Sequence, residues 1–176
     1  MKPIIFSTPM VQAILDGKKT QTRRVIKDRH QWIATDETLA LHCPYGQVGS
    51  GLWVRETWSG ADWEDDLPPS DMSQEAGLLN YKATPNELSD CFAGKWRPSI
   101  FMPRWASRIT LEITEVRVER VQDISPPDIS AEGYDPFGIP AGVFWFKDLW
   151  DSINAKRGYG WDSNPFVWCI SFRRVE

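Results

Sequence analysis

A chain of 176 residues with 41% hydrophobic content can bury one sizeable core and is short for several independent domains. Its net charge of -4 and pI near 5.3 exclude nonspecific duplex binding driven by bulk charge, but not a local basic site. It has no signal pattern, no apolar run long enough to span a membrane, and three scattered cysteines, Cys43, Cys91 and Cys169, without a CxxC. These features point to a soluble protein of a reducing cytoplasm, away from membranes.

The pattern predicts a short strand at Ile4 to Ser7, then a helix through "TPMVQAILDG". Thr8 is the expected cap, Pro9 the first helical residue and Gly17 the left-handed stop. Met10, Val11, Ile14 and Leu15 share one face of it. "KTQTRRVI" follows as a strand, on which alternation sets Thr20, Thr22 and Arg24 against Lys19, Gln21 and Arg23. Residues 28 to 48 read as mixed and loop-like, with His42-Cys43 too close-set to chelate a metal. A glycine turn leads into a strand from Leu52 to Trp58.

From Ala61 to Leu79 every charge is negative, and Pro68-Pro69 interrupts the run, which predicts an exposed insertion. A short strand is expected in "LNYKA", and an irregular piece extends to Pro103. "SRITLEITEVRVERV" alternates well and predicts a strand that bends near Glu115, where the apolar phase changes. "ISPPDISAEG" is a short helix capped by Ser125, with Pro126 in its first turn and Gly133 as its stop. "AGVFWFKDLWDSINAKRG" is a longer helix whose buried stripe is Phe146, Leu149, Trp150 and Ile153. "FVWCISFRRV" closes the chain as a strand. Curved strands with few helices indicate an α+β domain built on a small barrel.

Charge is segregated along this order. Lys18, Lys19, Arg23, Arg24, Lys27 and Arg29 form one basic segment; Lys95, Arg97, Arg104 and Arg108 form a second, interleaved with indoles in "KWRPSIFMPRWASR". Guanidinium for phosphate and a flat indole for a base suit single-stranded nucleic acid or a nucleoside. The alternative is that Trp96 and Trp105 pack the core while the arginines solvate its edges. On "VRETW", Glu56 and Trp58 share a face and could read the edge of a base; an ion pair on a sheet explains the same residues.

The blocks "ILDGKKTQTRR", "LWVRETW", "ITLEITEVRVERVQDIS...AEG" and "FVWCISF" together resemble the ASCH domain family, and more closely its larger phage- and prophage-associated members. The resemblance implies a PUA-like β-barrel with flanking helices over residues 1–176, a cleft for RNA or nucleotides, and no metal or cofactor. Small bacterial members include an amidohydrolase that deacetylates N4-acetylcytidine. Its functional lysine, threonine and glutamate correspond to Lys19 and Thr22 in "GKKTQT" and Glu132 in "AEG". Other members are RNA-binding modules or nucleases. The insertion at about 59–103 has no counterpart in the small enzymes.

Hydrolysis of an N-acyl bond requires a nucleophile, a base, stabilisation of the oxyanion and an acid for the leaving nitrogen. Thr22 could attack with Lys19 as its base, or Glu132 could activate a water while Lys19 and Thr22 bind the carbonyl oxygen. Arg24, if it faces the cleft, could oppose developing negative charge. Arg24, Glu56, Trp58, Arg104 and Trp105 are the candidate substrate-binding residues. Lys19 and Thr22 are three residues apart, so they converge only if Lys19 belongs to the preceding turn or a bulge intervenes. Catalysis on a modified nucleoside, RNA or single-strand binding without chemistry, ribonuclease activity, and protein contact through the acidic insertion all remain open at this point.

Overall fold

Seven strands and three α-helices are formed by the described residues of the computed structural model, which are 1–27, 40–84, 92–134 and 142–175. In chain order they are β1 (Lys2–Ile5), α1 (Thr8–Leu15), β2 (Gln21–Val25), β3 (Gly51–Arg55), β4 (Trp58–Ser59), β5 (Asn80–Tyr81), β6 (Thr110–Arg120), α2 (Pro126–Ala131), α3 (Gly142–Asn154) and β7 (Phe166–Arg174). Hydrogen-bonded neighbours run β1-β3-β6-β7-β2, with β4-β5 as a separate ladder. The fold is α+β, as expected. The expected closed barrel is not present among the described residues: the ladder ends at β1 on one side and β2 on the other. Arg29 and Cys91 lie outside the described residues.

The chain forms two compact units. The first is Met1–Leu15, Gly51–Leu111 and Arg174–Glu176; the second is Asp16–Ser50 and Glu112–Arg173. In the first, β1 pairs in parallel with β3, in register from Lys2↔Leu52 to Ile5↔Arg55. Thr8 is the first residue of α1 rather than its cap, and Val11 closes the first turn by donating to the Ser7 carbonyl at 2.9 Å. The strand expected through Trp58 breaks after Arg55 and resumes as β4. There Trp58 enters a core with Met72, Leu79, Met102 and Ala106.

The acidic insertion is anchored rather than wholly exposed. Glu64 and Met72 are buried. Arg97 donates through Nη2 to the carbonyls of Glu64, Asp65 and Leu67 at 3.1, 3.1 and 3.2 Å. Glu64 Oε1 accepts from the Ser73 amide at 2.7 Å. A local patch of negative charge therefore sits on a segment whose backbone is held by one guanidinium.

In the second unit β2 pairs antiparallel with β7, from Gln21↔Ser171 to Val25↔Val167. Its core is Val121, Ile124, Ile129, Phe146, Trp150 and Val167. The α3 stripe differs from expectation at its end: Ile153 is 40% exposed while Asn154 is buried, donating to the Trp150 carbonyl at 3.2 Å. In β6 the burial alternation breaks near Glu115, with Leu111 and Ile113 buried and Thr114 and Glu115 exposed.

Helix α2 starts with a capping box. Ser125 accepts from the Asp128 amide, and the Asp128 carboxylate accepts from the Ser125 amide. It ends at Gly133, whose φ of +99° is open to glycine and strained for other residues. Asp128 also receives Arg117 Nη2 at 2.7 Å and Gln21 Nε2 at 3.1 Å. Burial alone would raise its pKa, but hydrogen bonds from Ser125, Arg117 and Gln21 prevail and hold the carboxyl well below the usual aspartate range. A depressed folded pKa contributes stability above the unfolded value and loses it as pH falls further. Asp128→Asn should therefore lower the unfolding free energy by roughly 1–3 kcal/mol at neutral pH. The gap from the wild type should close as the pH drops below about 3.8, the ordinary aspartate value, as measured by urea denaturation across pH.

Candidate functional site

Two segments meet at the start of β2. Thr20 donates its amide to the Ala131 carbonyl at 2.8 Å, and Lys19 and Glu132 form an antiparallel bridge. This brings together Glu132 at the end of α2 and Lys19 just ahead of β2, which are 113 positions apart. Glu132 is the C-cap of α2, in right-handed geometry. Although it ends a short helix, it is only 4% exposed.

Lys19 Nζ lies 2.5 Å from Glu132 Oε2, and the two side chains are 0% and 4% exposed. Nζ also donates to the Glu132 backbone carbonyl at 2.9 Å. Burial lowers the Lys19 pKa; Glu132 opposes the shift without reversing it, and Arg24 and Arg23 add to it.

Arg23, which the sequence reading left out of the catalytic set, completes the group. Its Nη1 donates to Glu132 Oε1 at 3.1 Å and to Gln21 Oε1 at 2.7 Å. Its Nη2 and Nε reach Glu119 Oε1 at 2.5 and 2.8 Å. The ring of Phe146 lies 5.7 Å from its guanidinium carbon. Burial disfavours the charge on Arg23, and Glu132 and Glu119 help to more than offset it, so its pKa is raised. Cys169 stands opposite Arg23 on β7, where burial pushes its thiol up to about 12. It is therefore a neutral neighbour. Alternation was the available signal for Arg23: Lys19, Gln21 and Arg23 share a face.

Thr22 is 4% exposed and pairs with Ile170. Alternation sets it on the other side of β2 from Lys19, and among the described residues no hydrogen bond joins it to Lys19 or Glu132. Arg24, on the same side as Thr22, lies with its guanidinium carbon 6.0 Å from the Tyr45 ring. Burial lowers its pKa, against Tyr45 and Glu132.

The remaining candidates belong to the first unit. Both Glu56 oxygens accept from Arg108, at 3.0 and 3.1 Å, and Arg108 stacks 4.0 Å from the Tyr81 ring centroid. Trp58 is fully buried, with Trp105 edge-on at 5.9 Å. Arg104 is exposed and Trp105 half-buried. Trp96 is 41% exposed. The described residues contain no cluster of metal-ligand type, and no helix long and apolar enough to cross a membrane.

No family model and no curated protein matches the chain. Among solved structures, the ASCH domain of Lactobacillus crispatus has a similar fold, with a TM-score of 0.50 over 99% of this chain and 79% of that one, at 11% identity. A protein of Enterococcus faecalis described by the family model DUF984 gives a TM-score of 0.48 over 99% and 81%, also at 11% identity. The fold is thus similar to that of an ASCH domain, as the motif blocks imply.

Breaking a buried ion pair strands its remaining charge, which typically costs about 3–5 kcal/mol, whereas replacing both partners by apolar groups is far milder. Lys19→Met and Glu132→Leu should each destabilise the protein more than the double replacement does. Chemical denaturation of the two single variants and the pair checks this coupling.

Proposed function

We propose that Lys19 and Glu132 form the catalytic centre of an amidohydrolase that removes an acyl group from the exocyclic nitrogen of a modified nucleoside such as N4-acetylcytidine. The observation that carries this reading is a lysine and a glutamate from distant positions, closed from solvent, in 2.5 Å contact and crowded by two further cations. Titratable groups strongly perturbed by burial and by a specific partner concentrate at functional sites. The ASCH-like fold and the "GKKTQT" and "AEG" blocks support the same reading.

The chemistry follows from the two groups. Glu132 takes a proton from an attacking water, whose oxygen adds to the acyl carbon. Arg23, which shares the Lys19 face and touches Glu132, is the guanidinium beside which negative charge gathers on the carbonyl oxygen, since Arg24 lies across the strand. The Lys19 ammonium, made more acidic by burial, gives its proton to the nitrogen as the C–N bond breaks. The products are the free amine and a carboxylic acid. Transfer of the proton held by Glu132 to Lys19, across their direct contact, resets the pair. Arg23 holds the Glu132 carboxylate in place through its other oxygen.

This division requires Lys19 protonated and Glu132 ionised. Activity should therefore fall on a basic limb below 10.5, the ordinary lysine value. If Thr22 were the nucleophile with neutral Lys19 as its base, activity would instead rise with pH through that limb, and Thr22→Val would abolish it.

Incubation with N4-acetylcytidine, followed by chromatography for cytidine, tests the proposal. Wild type should release cytidine and acetate, and Lys19→Ala and Glu132→Gln should lower kcat by roughly a hundredfold or more. Circular dichroism confirms that each variant is folded. No release by wild type, or an unchanged rate in folded Lys19→Ala, overturns the reading and leaves the pair as a clamp between α2 and β2.

A further inference from the structure

In the first unit, the cations of the second basic segment are mostly used internally. Arg97 binds three carbonyls, Arg108 grips Glu56, and Lys95 lies 3.9 Å from Asp66. Arg104 differs. Its hydrogen bond, from Nη2 to Met1 Sδ at 3.6 Å, goes to a weak acceptor, and it makes no ion pair among the described residues. A second guanidinium shares this condition. Arg55, at the end of β3, has no carboxylate partner among the described residues, and its Nε is shut off from water without an acceptor.

Both stand over one ring. The guanidinium carbons of Arg55 and Arg104 lie 4.8 and 5.9 Å from the Trp53 centroid. Trp53 is 7% exposed, so the ring is a fixed support. Register sets Pro3 beside Trp53 and Ile5 beside Arg55, and Ile5 is 40% exposed, so this face of β1 and β3 is open to solvent.

We infer that Arg55 and Arg104, mounted on Trp53, bind the phosphate group of a small phosphorylated ligand. Two uncompensated positive charges match a phosphate dianion better than a single carboxylate. The planar fork of arginine suits its oxygens, and stacking on an indole limits the side-chain freedom lost on binding. The inference does not rest on the proposed hydrolysis, because its readout is binding.

Isothermal titration of the full chain at low salt with inorganic phosphate, cytidine 5′-monophosphate and cytidine tests it. At least one phosphate-bearing probe should bind, and cytidine should not do so at this site. Preference for the nucleotide over inorganic phosphate identifies the source of the phosphate; equal binding assigns the site to the phosphate alone. Arg104→Gln, at an exposed position, and Arg55→Gln should each weaken binding roughly tenfold or more. Arg55→Lys should restore part of it, since the charge returns without the fork. Absence of binding by both phosphate probes, or binding unchanged in folded Arg104→Gln and Arg55→Gln, overturns the inference.

Discussion

The second unit is organised around a charge pair taken out of water. Desolvating a lysine and a glutamate opposes folding, and contact between them repays this only when the remaining donors and acceptors are also satisfied. Here they largely are. Lys19 reaches both the carboxylate and the backbone carbonyl of Glu132, and Arg23 takes the second carboxylate oxygen. The arrangement has strict geometric demands. Glu132 has to sit at the C-cap of α2, Gly133 has to turn away with positive φ, and Lys19, just ahead of β2, has to lie alongside. The capping box at the other end of α2 belongs to the same device, because Asp128 takes Gln21 and Arg117 as well as Ser125.

The two basic segments look alike in sequence and differ in use. In the first, Arg23 is consumed by Glu119 and Glu132, and Lys19 by Glu132. In the second, Arg97 and Arg108 are structural, one holding the acidic insertion by its backbone and the other neutralising Glu56. A run of cations is therefore a poor measure of the charge presented to a ligand. What matters is the remainder after internal pairing, and in the first unit this includes Arg55 and Arg104.

Local chemistry was legible in the sequence; burial was not. The capping box, Gly17 and Gly133 could be placed because each depends on a few consecutive residues and a backbone geometry that only certain residue types favour. The alternation of β6 was equally readable. β2 hid its character because Gln21, Thr22 and Arg23 are all buried, so polar residues occupy a strand closed on both faces. A polar pattern signals exposure only when its partners are absent, and the partners Glu119, Asp128 and Glu132 lie about a hundred residues away. The same reason separates Ile153, exposed despite its apolar side chain, from Asn154, buried because the Trp150 carbonyl accepts its amide.

The register of β2 bears on how the two halves of the proposed acyl-transfer site can be divided. Phe172 donates to the Thr20 carbonyl at 2.8 Å, and the pairing then runs one for one from Gln21↔Ser171 to Val25↔Val167. An inserted residue would break this correspondence, and none does. Lys19 is held against Glu132 by the bridge, so it continues the same extended chain rather than belonging to the turn at Gly17. Alternation without a bulge keeps the Thr22 hydroxyl across the strand from the ammonium. A nucleophile on the side of the Lys19–Glu132 pair is then most simply a water, and the pair suits that role because it joins a proton acceptor and a proton donor in direct contact. The charge placement agrees: burial that makes Lys19 a poor holder of its proton makes it a better acid toward a departing nitrogen.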